Sequence, residues 1–180
     1  MNDPVDNEGR SLTALQEKGS PTVELQAKVL TVSDGVWAGT REDIGGAGLV
    51  ARLTEGGYEV VESRVLADGV DEVINALTYM AYGFTGLIVT TGGTGFGPRD
   101  HTPEATKRVL DRVAPGMAEA MRAVSPKGRL SRGIAGTRGK ALILNTPGSP
   151  TGALEMLEAV LDVVPHALEL MAGKPTHHPH

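Results

Sequence analysis

The sequence predicts an α/β protein with a doubly wound, mainly parallel sheet flanked by helices on both faces, giving three layers in the order α/β/α. From residue 26 onward, short β-branched runs alternate with helical patterns, which is typical of parallel strands joined by crossover helices. The run at residues 87–91 is almost wholly apolar, as expected of a strand buried on both faces. The 24 glycines among 180 residues fit a fold with many tight turns between strands and helices.

The first half of the folded region is expected to contain two strand–helix pairs. Residues 27–32 form a β-branched run that predicts the first strand, and apolar residues at helical spacing predict a helix over residues 46–54. A pair of glycines then stops that helix. Apolar and polar residues alternate over residues 58–66, which predicts the second strand. Residues 70–82 carry an apolar helical face.

The second half continues the pattern after the apolar strand. Helices are expected over residues 102–113 and 115–124, and a further strand over residues 140–145. Residues 151–171 carry an apolar face long enough for five turns of helix, and Pro165 should kink or divide that helix because proline lacks a backbone N–H donor.

Composition limits the class of protein. A chain of 180 residues is by default one domain and can bury about 70% of its unfolded surface. A formal net charge of −5 and an aromatic content of 3% argue against a nucleic-acid partner, since such partners require cationic surface and stacking side chains. The absence of cysteine excludes a disulfide framework, a thiolate metal site and a thiol nucleophile.

The domain organisation expected from the sequence is simple. Residues 1–25 are predicted to be a flexible extension, residues 26–173 a single domain, and residues 174–180 a short tail whose histidines are too few and too mobile to preorganise a catalytic metal. No apolar run has transmembrane length and no signal-peptide pattern is visible. A cytoplasmic protein without a membrane partner is therefore expected.

Polar residues follow the predicted strands at the ends where each strand finishes. Ser33 and Asp34 follow the first strand, Asp68 follows the second, residues 92–100 follow the third, and residues 147–150 follow the last. Ligands of open α/β sheets bind beyond the carboxyl ends of the strands. The sequence therefore predicts a ligand site where these four loops converge.

The segment at residues 92–100, called the glycine loop below, carries the clearest chemical signal. Gly92, Gly93 and Gly95 allow the backbone to approach a ligand closely, and their N–H groups favour an anion such as phosphate. Asp100 places a carboxylate beside this anion site, which suggests a divalent metal between the two. The loop lacks Gly-Lys-Ser/Thr and departs from Gly-x-Gly-x-x-Gly, so neither a Walker A loop nor dinucleotide reduction is favoured.

Several short segments occur in a fixed order along the chain. They are Ser-Asp at 33–34, Thr-Thr-Gly-Gly-Thr-Gly at 90–95, Arg-Asp at 99–100, Thr-Pro-Glu-Ala-Thr at 102–106, Pro-Gly-Met-Ala-Glu at 115–119, Leu-Ser-Arg at 130–132 and Asn-Thr-Pro-Gly-Ser-Pro at 145–150. In type and order they resemble the molybdopterin-binding family of MogA/MoaB type, and the resemblance runs from about residue 27 to residue 173.

The resemblance implies a reaction of molybdenum cofactor biosynthesis. The terminal phosphate of molybdopterin attacks the α-phosphate of ATP in the presence of Mg²⁺, giving adenylyl-molybdopterin and pyrophosphate. Such nucleotidyl transfer depends on positioning and charge neutralisation and needs no protein nucleophile. The resemblance also implies a homotrimer, sometimes paired into a hexamer, and hand-over of the product to a molybdenum-inserting enzyme.

The resemblance assigns residues to roles. Asp68 and Asp100 are the expected catalytic residues, with Asp100 also expected to bind the metal. Alternatives are an N-cap or loop carboxylate for Asp100, a plain turn or helix cap for Asp68, loop ordering for Asp34, and a capped turn for Ser149. Thr102 is the better candidate to cap its helix. The residues expected to bind substrate or nucleotide are Ser33, Asp34, Gly92, Gly93, Thr94, Gly95, Arg132, Gly148 and Ser149.

Two other functions remain open from the sequence. One is a MoaB-type paralogue that binds molybdopterin or a precursor with little or no transferase activity. The other, less favoured, is a scaffold, because the same domain occurs fused within larger eukaryotic proteins that organise partners. The retained Asp100 favours the active enzyme.

Overall fold

The structure, a computed structural model, describes residues 24–173. The predicted extension up to residue 23 and the tail at residues 174–180 lie outside the described residues. The strands are β1 Gln26–Val32, β2 Glu59–Leu66, β3 Gly86–Thr91, β4 Arg112–Val113, β5 Ala135–Arg138 and β6 Ala141–Thr146. The helices are α1 Asp34–Trp37, α2 Ile44–Glu55, α3 Val70–Ala81, α4 Thr102–Val109, α5 Pro115–Ala123, α6 Pro150–Leu161 and α7 Val164–Met171, with a 3₁₀ helix at Pro126–Leu130.

The six strands form one sheet in the order β2-β1-β3-β6-β5-β4. The first four run parallel, whereas β5 pairs antiparallel with β6 and β4 pairs antiparallel with β5. The predicted fold class, a three-layer α/β/α domain with a mainly parallel sheet, is therefore confirmed. The antiparallel extension of the sheet by β5 and β4 was not predicted.

One helix prediction needs correction, and another is confirmed. The helix expected over residues 102–113 ends at Val109, because Leu110 adopts an extended conformation and Arg112 pairs with Thr137 of β5. The helix expected over residues 151–171 is divided into α6 and α7, as the position of Pro165 predicted. Pro165 lies in the first turn of α7, where its missing N–H donor costs nothing.

The sheet separates two apolar layers. On one face, α2, α5, α6 and α7 pack through buried side chains such as Leu53 and Leu157 against Leu87 and Leu144 of the sheet. On the other face, α3 and α4 pack through Leu77 and their other apolar residues against alternate strand positions. All six residues of β3 and of β6 are buried, which explains the continuous apolar runs in their sequences.

The order of the parallel strands creates a crevice at one edge of the sheet. From β1 the chain passes to β2 on one side of β1, and the next strand, β3, lies on the other side of β1. The register pairs Val32 with Leu66, Thr31 with Thr91, and Thr91 with Thr146, so the strand ends lie level. This reversal between β1 and β3 is a topological switch point, where open α/β sheets bind ligands. Among the described helices, none has the length and apolar character needed to cross a membrane.

Candidate functional site

The four polar loops meet in one cavity at the carboxyl edge of the sheet. The cavity has a volume of about 970 Å³, which is within the range of small-molecule sites. Asp34 and Arg132, although predicted to bind substrate, are not among the residues that line it. The predicted site residues in its wall are Ser33, Asp68, Gly92, Gly93, Thr94, Gly95, Asp100, Gly148 and Ser149.

Close backbone approach fixes the conformation of the glycine loop. Gly92 has φ +102° and packs so tightly on β1 that an added Cβ would overlap the carbonyl oxygen of Val32. Gly93 has φ +62°, and an added Cβ there would overlap the hydroxyl oxygen of Thr102. Both positions therefore require glycine on two counts, a left-handed φ and a lack of space.

Asp68 and Asp34 hold the loops after β2 and β1 together. The backbone N–H of Asp34 donates to Asp68 Oδ2 at 2.8 Å, and the backbone N–H of Asp68 donates to Asp34 Oδ1 at 3.0 Å. Asp68 does not cap the following helix, whose N-cap residue is Gly69. The capping alternative for Asp68 is therefore wrong, and its carboxylate contributes to the cavity wall instead.

Arg99 of the glycine loop clamps this pair of loops from outside. Its Nε donates to Asp34 Oδ2 at 2.6 Å and its Nη2 donates to Asp34 Oδ1 at 2.9 Å, while Nη2 also donates to the Asp68 carbonyl. The hydrogen bonds from Arg99 hold the pKa of the Asp34 carboxyl below its ordinary value. Both oxygens of Asp34 are occupied by protein donors, so the structure supports the loop-ordering role that the sequence left open for it.

Asp100 differs from Asp34 in having one oxygen directed away from protein donors. Its Oδ2 accepts a hydrogen bond from the Gly97 backbone at 2.8 Å, and within residues 24–173 no donor to its Oδ1 is found. Asp100 lies in the cavity wall. The N-cap of α4 is His101, so the expectation that Thr102 caps this helix is wrong. Thr102 is the first helical residue, and its buried hydroxyl finds no partner in the described part of the chain.

Arg132 contacts the glycine loop from behind, outside the cavity. Its Nε donates to the Gly95 carbonyl at 2.7 Å, and its other nitrogens contact the Asp100 carbonyl and the Glu104 carboxylate. Its backbone N–H donates to the Thr94 carbonyl at 2.8 Å. The guanidinium predicted to bind substrate phosphate is thus used to position the loop.

Asn145 supports the same region from within the core. Its Nδ2 donates to Thr90 Oγ1 at 3.0 Å and to Thr106 Oγ1 at 3.1 Å, and its Oδ1 accepts from the Ile134 backbone at 3.3 Å. The side chain is 1% exposed. Because a buried amide must satisfy its hydrogen bonds internally, this network fixes β3, β6, α4 and the segment before β5 relative to one another.

The turn at residues 147–150, called the proline turn below, lies beside the glycine loop, since an added Cβ on Gly148 would lie 3.4 Å from the Gly92 Cα. Ser149 is the N-cap of α6, and its Oγ accepts from the Gly152 backbone at 3.4 Å. The Pro147 carbonyl accepts from Thr91 Oγ1 at 2.8 Å, which ties the turn to β3. The capped turn left open for Ser149 is therefore present, and Gly148 and Ser149 also line the cavity.

Several residues of the wall were missed by sequence reasoning. Five carboxylates and two cations line the cavity, so its wall carries a formal charge of −3. Asp43 is one of these carboxylates, but it caps α2 and also accepts from Thr31 Oγ1 at 2.7 Å. Its position just before a predicted helix was a signal for that cap. The two cations are Arg41, in a loop, and Lys127, in the 3₁₀ helix, and the sequence patterns singled out neither.

Whether a metal ion fits the cavity depends on the side chains available to bind it. Residues 24–173 contain no group of three or more histidine and carboxylate side chains close enough to hold a metal ion. Mg²⁺, however, is commonly bound by one or two carboxylates together with waters and substrate phosphates. Asp68 and Asp100 line the same negatively charged cavity, so they fit a Mg²⁺ ion whose remaining ligands come from a phosphate-bearing substrate.

The fold and the cavity define a class of protein. A doubly wound sheet whose switch point carries a cavity lined by glycine backbone and by a helix N-terminus is the architecture of an α/β domain that binds phosphate-bearing small molecules. A family model described as a probable molybdopterin binding domain matches residues 28–166. The chain belongs to this molybdopterin-binding family.

Individual relatives agree with this assignment. The molybdopterin adenylyltransferase of Helicobacter pylori strain J99 is 40% identical over 152 residues, covering 81% of this chain and 86% of the relative. Gephyrin of Dictyostelium discoideum is 37% identical over 174 residues, covering 89% of this chain but 24% of gephyrin. The predicted enzyme class, a nucleotidyltransferase, is confirmed by the relatives named as adenylyltransferases.

A solved structure agrees over nearly all of its length. The molybdopterin biosynthesis enzyme MoaB of Thermus thermophilus superposes with a TM-score of 0.79 at 48% identity, covering 84% of this chain and 98% of that chain. The family resemblance found in the sequence motifs is thereby confirmed.

Proposed function

We propose that this chain transfers the adenylyl group of ATP to the terminal phosphate of molybdopterin, forming adenylyl-molybdopterin and pyrophosphate. The observation that carries this proposal is the cavity at the switch point, which is lined by Asp68, by Asp100 and by residues 93–95 of the glycine loop. This arrangement brings anion-binding N–H groups and metal-binding carboxylates to the same place, as transfer between two phosphates requires.

The protein's contribution is to bind and orient the two anions. The backbone N–H groups of the glycine loop and of the proline turn, at the N-terminus of α6, supply fixed dipoles toward phosphate oxygens. A pterin phosphate oxygen held in line with the α-phosphorus of ATP forms the new P–O bond as the bond to the pyrophosphate oxygen breaks. No side chain needs to act as a nucleophile, so the carboxylates and dipoles act through position and charge.

Asp68 and Asp100 are the residues that would hold Mg²⁺. The metal, when bound, neutralises phosphate charge and the charge that develops on the leaving pyrophosphate. The formal charge of −3 on the cavity wall supports this part of the proposal, because a polyanion entering such a cavity needs accompanying cations.

A MoaB-type binding protein is the second candidate function. The Thermus thermophilus structure at 48% identity carries the name MoaB but is described as a molybdopterin biosynthesis enzyme, so it does not favour binding alone. The 40% identity to the Helicobacter pylori adenylyltransferase favours the enzyme. The match to gephyrin covers 24% of that protein, which agrees with the occurrence of this domain within larger eukaryotic proteins, the basis of the scaffold alternative.

One assay separates these candidates. The protein is mixed with molybdopterin, ATP and Mg²⁺, and the adenylylated pterin and pyrophosphate are quantified by chromatography. The enzyme is expected to release both products in equal amounts and to stop when Mg²⁺ is chelated. Pterin binding without either product would contradict the transferase proposal and leave the binding paralogue.

The expected assembly and partners remain predictions. A homotrimer, or a hexamer built from two trimers, is expected by family resemblance, and light scattering of the purified chain measures it. Delivery of the adenylylated product to a molybdenum-inserting enzyme and a cytoplasmic location are likewise proposed on family resemblance and sequence composition.

A further inference from the structure

We propose that Arg41 and Lys127 are the cations that bind substrate phosphate in this cavity, one on each flank of the glycine loop. The chemical class of ligand, a phosphate monoester or an oligophosphate, rests on the proposed function. The assignment of these two side chains rests on their own positions and contacts.

Arg41 lies at the flank formed by β1 and β2. Its Nη2 donates to Ser33 Oγ at 3.1 Å, which places the guanidinium at the carboxyl end of β1. Ser33 in turn donates its backbone N–H to the Leu66 carbonyl at 2.9 Å. Arg41 therefore borders the cavity on the side where the loops carrying Asp34 and Asp68 meet.

Lys127 lies at the other flank, in the 3₁₀ helix Pro126–Leu130. This short helix is attached to the glycine loop through Ser131, which donates its backbone N–H to the Gly128 carbonyl at 3.0 Å and its hydroxyl to Thr94 Oγ1 at 3.3 Å. Gly128 packs so closely on the Arg122 carbonyl that an added Cβ would overlap it. The backbone that carries Lys127 is thus fixed, while its side chain is exposed at the cavity.

The other nearby cations are committed to protein contacts. Arg99 binds Asp34, Arg132 binds Glu104 and two loop carbonyls, and Arg122 Nη1 donates to the Gly133 carbonyl at 2.7 Å. By contrast, neither Arg41 nor Lys127 has a carboxylate partner within 4.0 Å among residues 24–173. These are the two cavity cations whose charge is available to an incoming anion.

The negative charge of the cavity wall makes each available cation important for binding an anion. The cavity wall carries five carboxylates, so an anion bound there depends strongly on each cation that faces it. Hydrogen bonds between a cationic side chain and phosphate are among the stronger polar contacts in proteins. Loss of either Arg41 or Lys127 is therefore expected to weaken phosphate binding without disturbing the loops.

Calorimetry on three variants tests this assignment. Arg41→Gln and Lys127→Gln each remove one cavity cation, and Arg129→Gln is the matched control, because Arg129 is exposed in the same 3₁₀ helix but does not line the cavity. The probes are ATP, inorganic pyrophosphate and molybdopterin, each titrated with Mg²⁺ present. Melting curves recorded beside each titration confirm that the variants are folded.

Each cavity variant is expected to bind at least one probe about tenfold more weakly, which corresponds to about 1.4 kcal/mol, while Arg129→Gln stays within about twofold of the unmodified protein. Weaker binding of ATP and pyrophosphate assigns the cation to the nucleotide, and weaker binding of molybdopterin alone assigns it to the pterin phosphate. Arg41→Lys, which keeps the charge, is expected to recover part of the lost affinity. The proposal is overturned if both cavity variants bind all three probes as the control does, or if the unmodified protein binds none.

These measurements are independent of turnover. A protein that binds the probes through Arg41 and Lys127 but forms no adenylylated product would refute the transferase proposal and leave this assignment standing. Normal turnover with unchanged probe affinities in both variants would refute the assignment of Arg41 and Lys127 and leave the transferase proposal standing.

Discussion

The glycine loop and the proline turn lie side by side at the cavity, and they are held in place by different means. Gly92 and Gly93 adopt left-handed φ values. The loop's own Arg99 binds Asp34, and Arg132, from a distant part of the chain, contacts the Gly95 carbonyl. The proline turn contains no residue of positive φ. Its own prolines restrict its backbone, and Ser149 supplies a local helix cap.

The difference shows how one cavity combines two kinds of wall. The proline turn offers a helix N-terminus, which binds anions through backbone dipoles and needs no charged side chain. The glycine loop adds Asp100, whose Oδ2 is fixed by Gly97 while its carboxylate faces the cavity. We therefore expect substitutions in the glycine loop to reduce turnover far more than substitutions in the proline turn.

The largest effect is expected from Asp100→Asn. The amide oxygen can still accept the hydrogen bond from Gly97, so the loop should keep its conformation, but the charge that would bind Mg²⁺ is lost. Turnover is expected to fall by at least about a hundredfold, the scale seen when one preorganised electrostatic contact is removed. Pyrophosphate release measures the rate. Turnover within about threefold of the unmodified protein would remove Asp100 from the catalytic group.

Gly93→Ala should destabilise the protein most. The substitution combines a left-handed φ with overlap on Thr102 Oγ1, and a cost of about 3 kcal/mol or more in the free energy of unfolding is expected. Gly139→Ala is the control, since Gly139 has φ +56° but open space around it. That control should cost about 1 kcal/mol, because only the backbone conformation is strained.

Urea unfolding of both variants, and of Gly93→Ala in a Thr102→Ala background, separates the two contributions. Removing the Thr102 hydroxyl should bring the cost at position 93 close to that at position 139. Equal costs for the two single variants would show that the loop has room at Gly93.

An intermediate effect is expected from Arg132→Ala. The variant loses the contacts to the Gly95 and Asp100 carbonyls, and the partly exposed site makes a loss of about 1–2 kcal/mol of stability reasonable. Because Arg132 does not line the cavity, kcat should fall while the affinity for pyrophosphate changes little. The opposite result, a large loss of pyrophosphate affinity with kcat retained, would restore the phosphate-binding role expected from sequence.

The smallest effect is expected from Ser149→Ala in the proline turn. The capping hydrogen bond to Gly152 is long, at 3.4 Å, so removing it should cost about 0.5–1 kcal/mol. Turnover is expected to fall only a few-fold, since the backbone N–H groups remain. A loss comparable to that of Asp100→Asn would erase the proposed difference between the two walls.

The parallel half of the sheet could be predicted from sequence because its elements are long and periodic. The buried runs of β1, β3 and β6 and the apolar faces of α2, α3 and α6 all gave local signals. Strand β4 has two residues, both exposed, and β5 reads Ala-Gly-Thr-Arg. Such segments become strands through pairing with one another and with β6, and their own sequences carry no signal for a strand.

The functional site, too, could be predicted only where the local sequence carried a signal. Asp68, Asp100 and the glycines were predicted because each follows a strand whose end could be located. The contact of Arg132 with the glycine loop could not be foreseen, since Arg132 and Gly95 are 37 positions apart in the sequence. Arg41 and Lys127 were missed for a related reason: the Arg41 side chain is held at the cavity by Ser33, and the 3₁₀ helix of Lys127 is attached there through the bond between Ser131 and Thr94.

The glycine loop, through Asp100, is proposed to supply a metal-binding carboxylate that the proline turn does not. Mn²⁺ binding measured by electron paramagnetic resonance in the presence of ATP tests this central claim most directly, with Asp100→Asn compared to Ser149→Ala. We expect Asp100→Asn to weaken Mn²⁺ binding by at least about tenfold and Ser149→Ala to leave it within about twofold. Equal Mn²⁺ affinity in the two variants would contradict the claim.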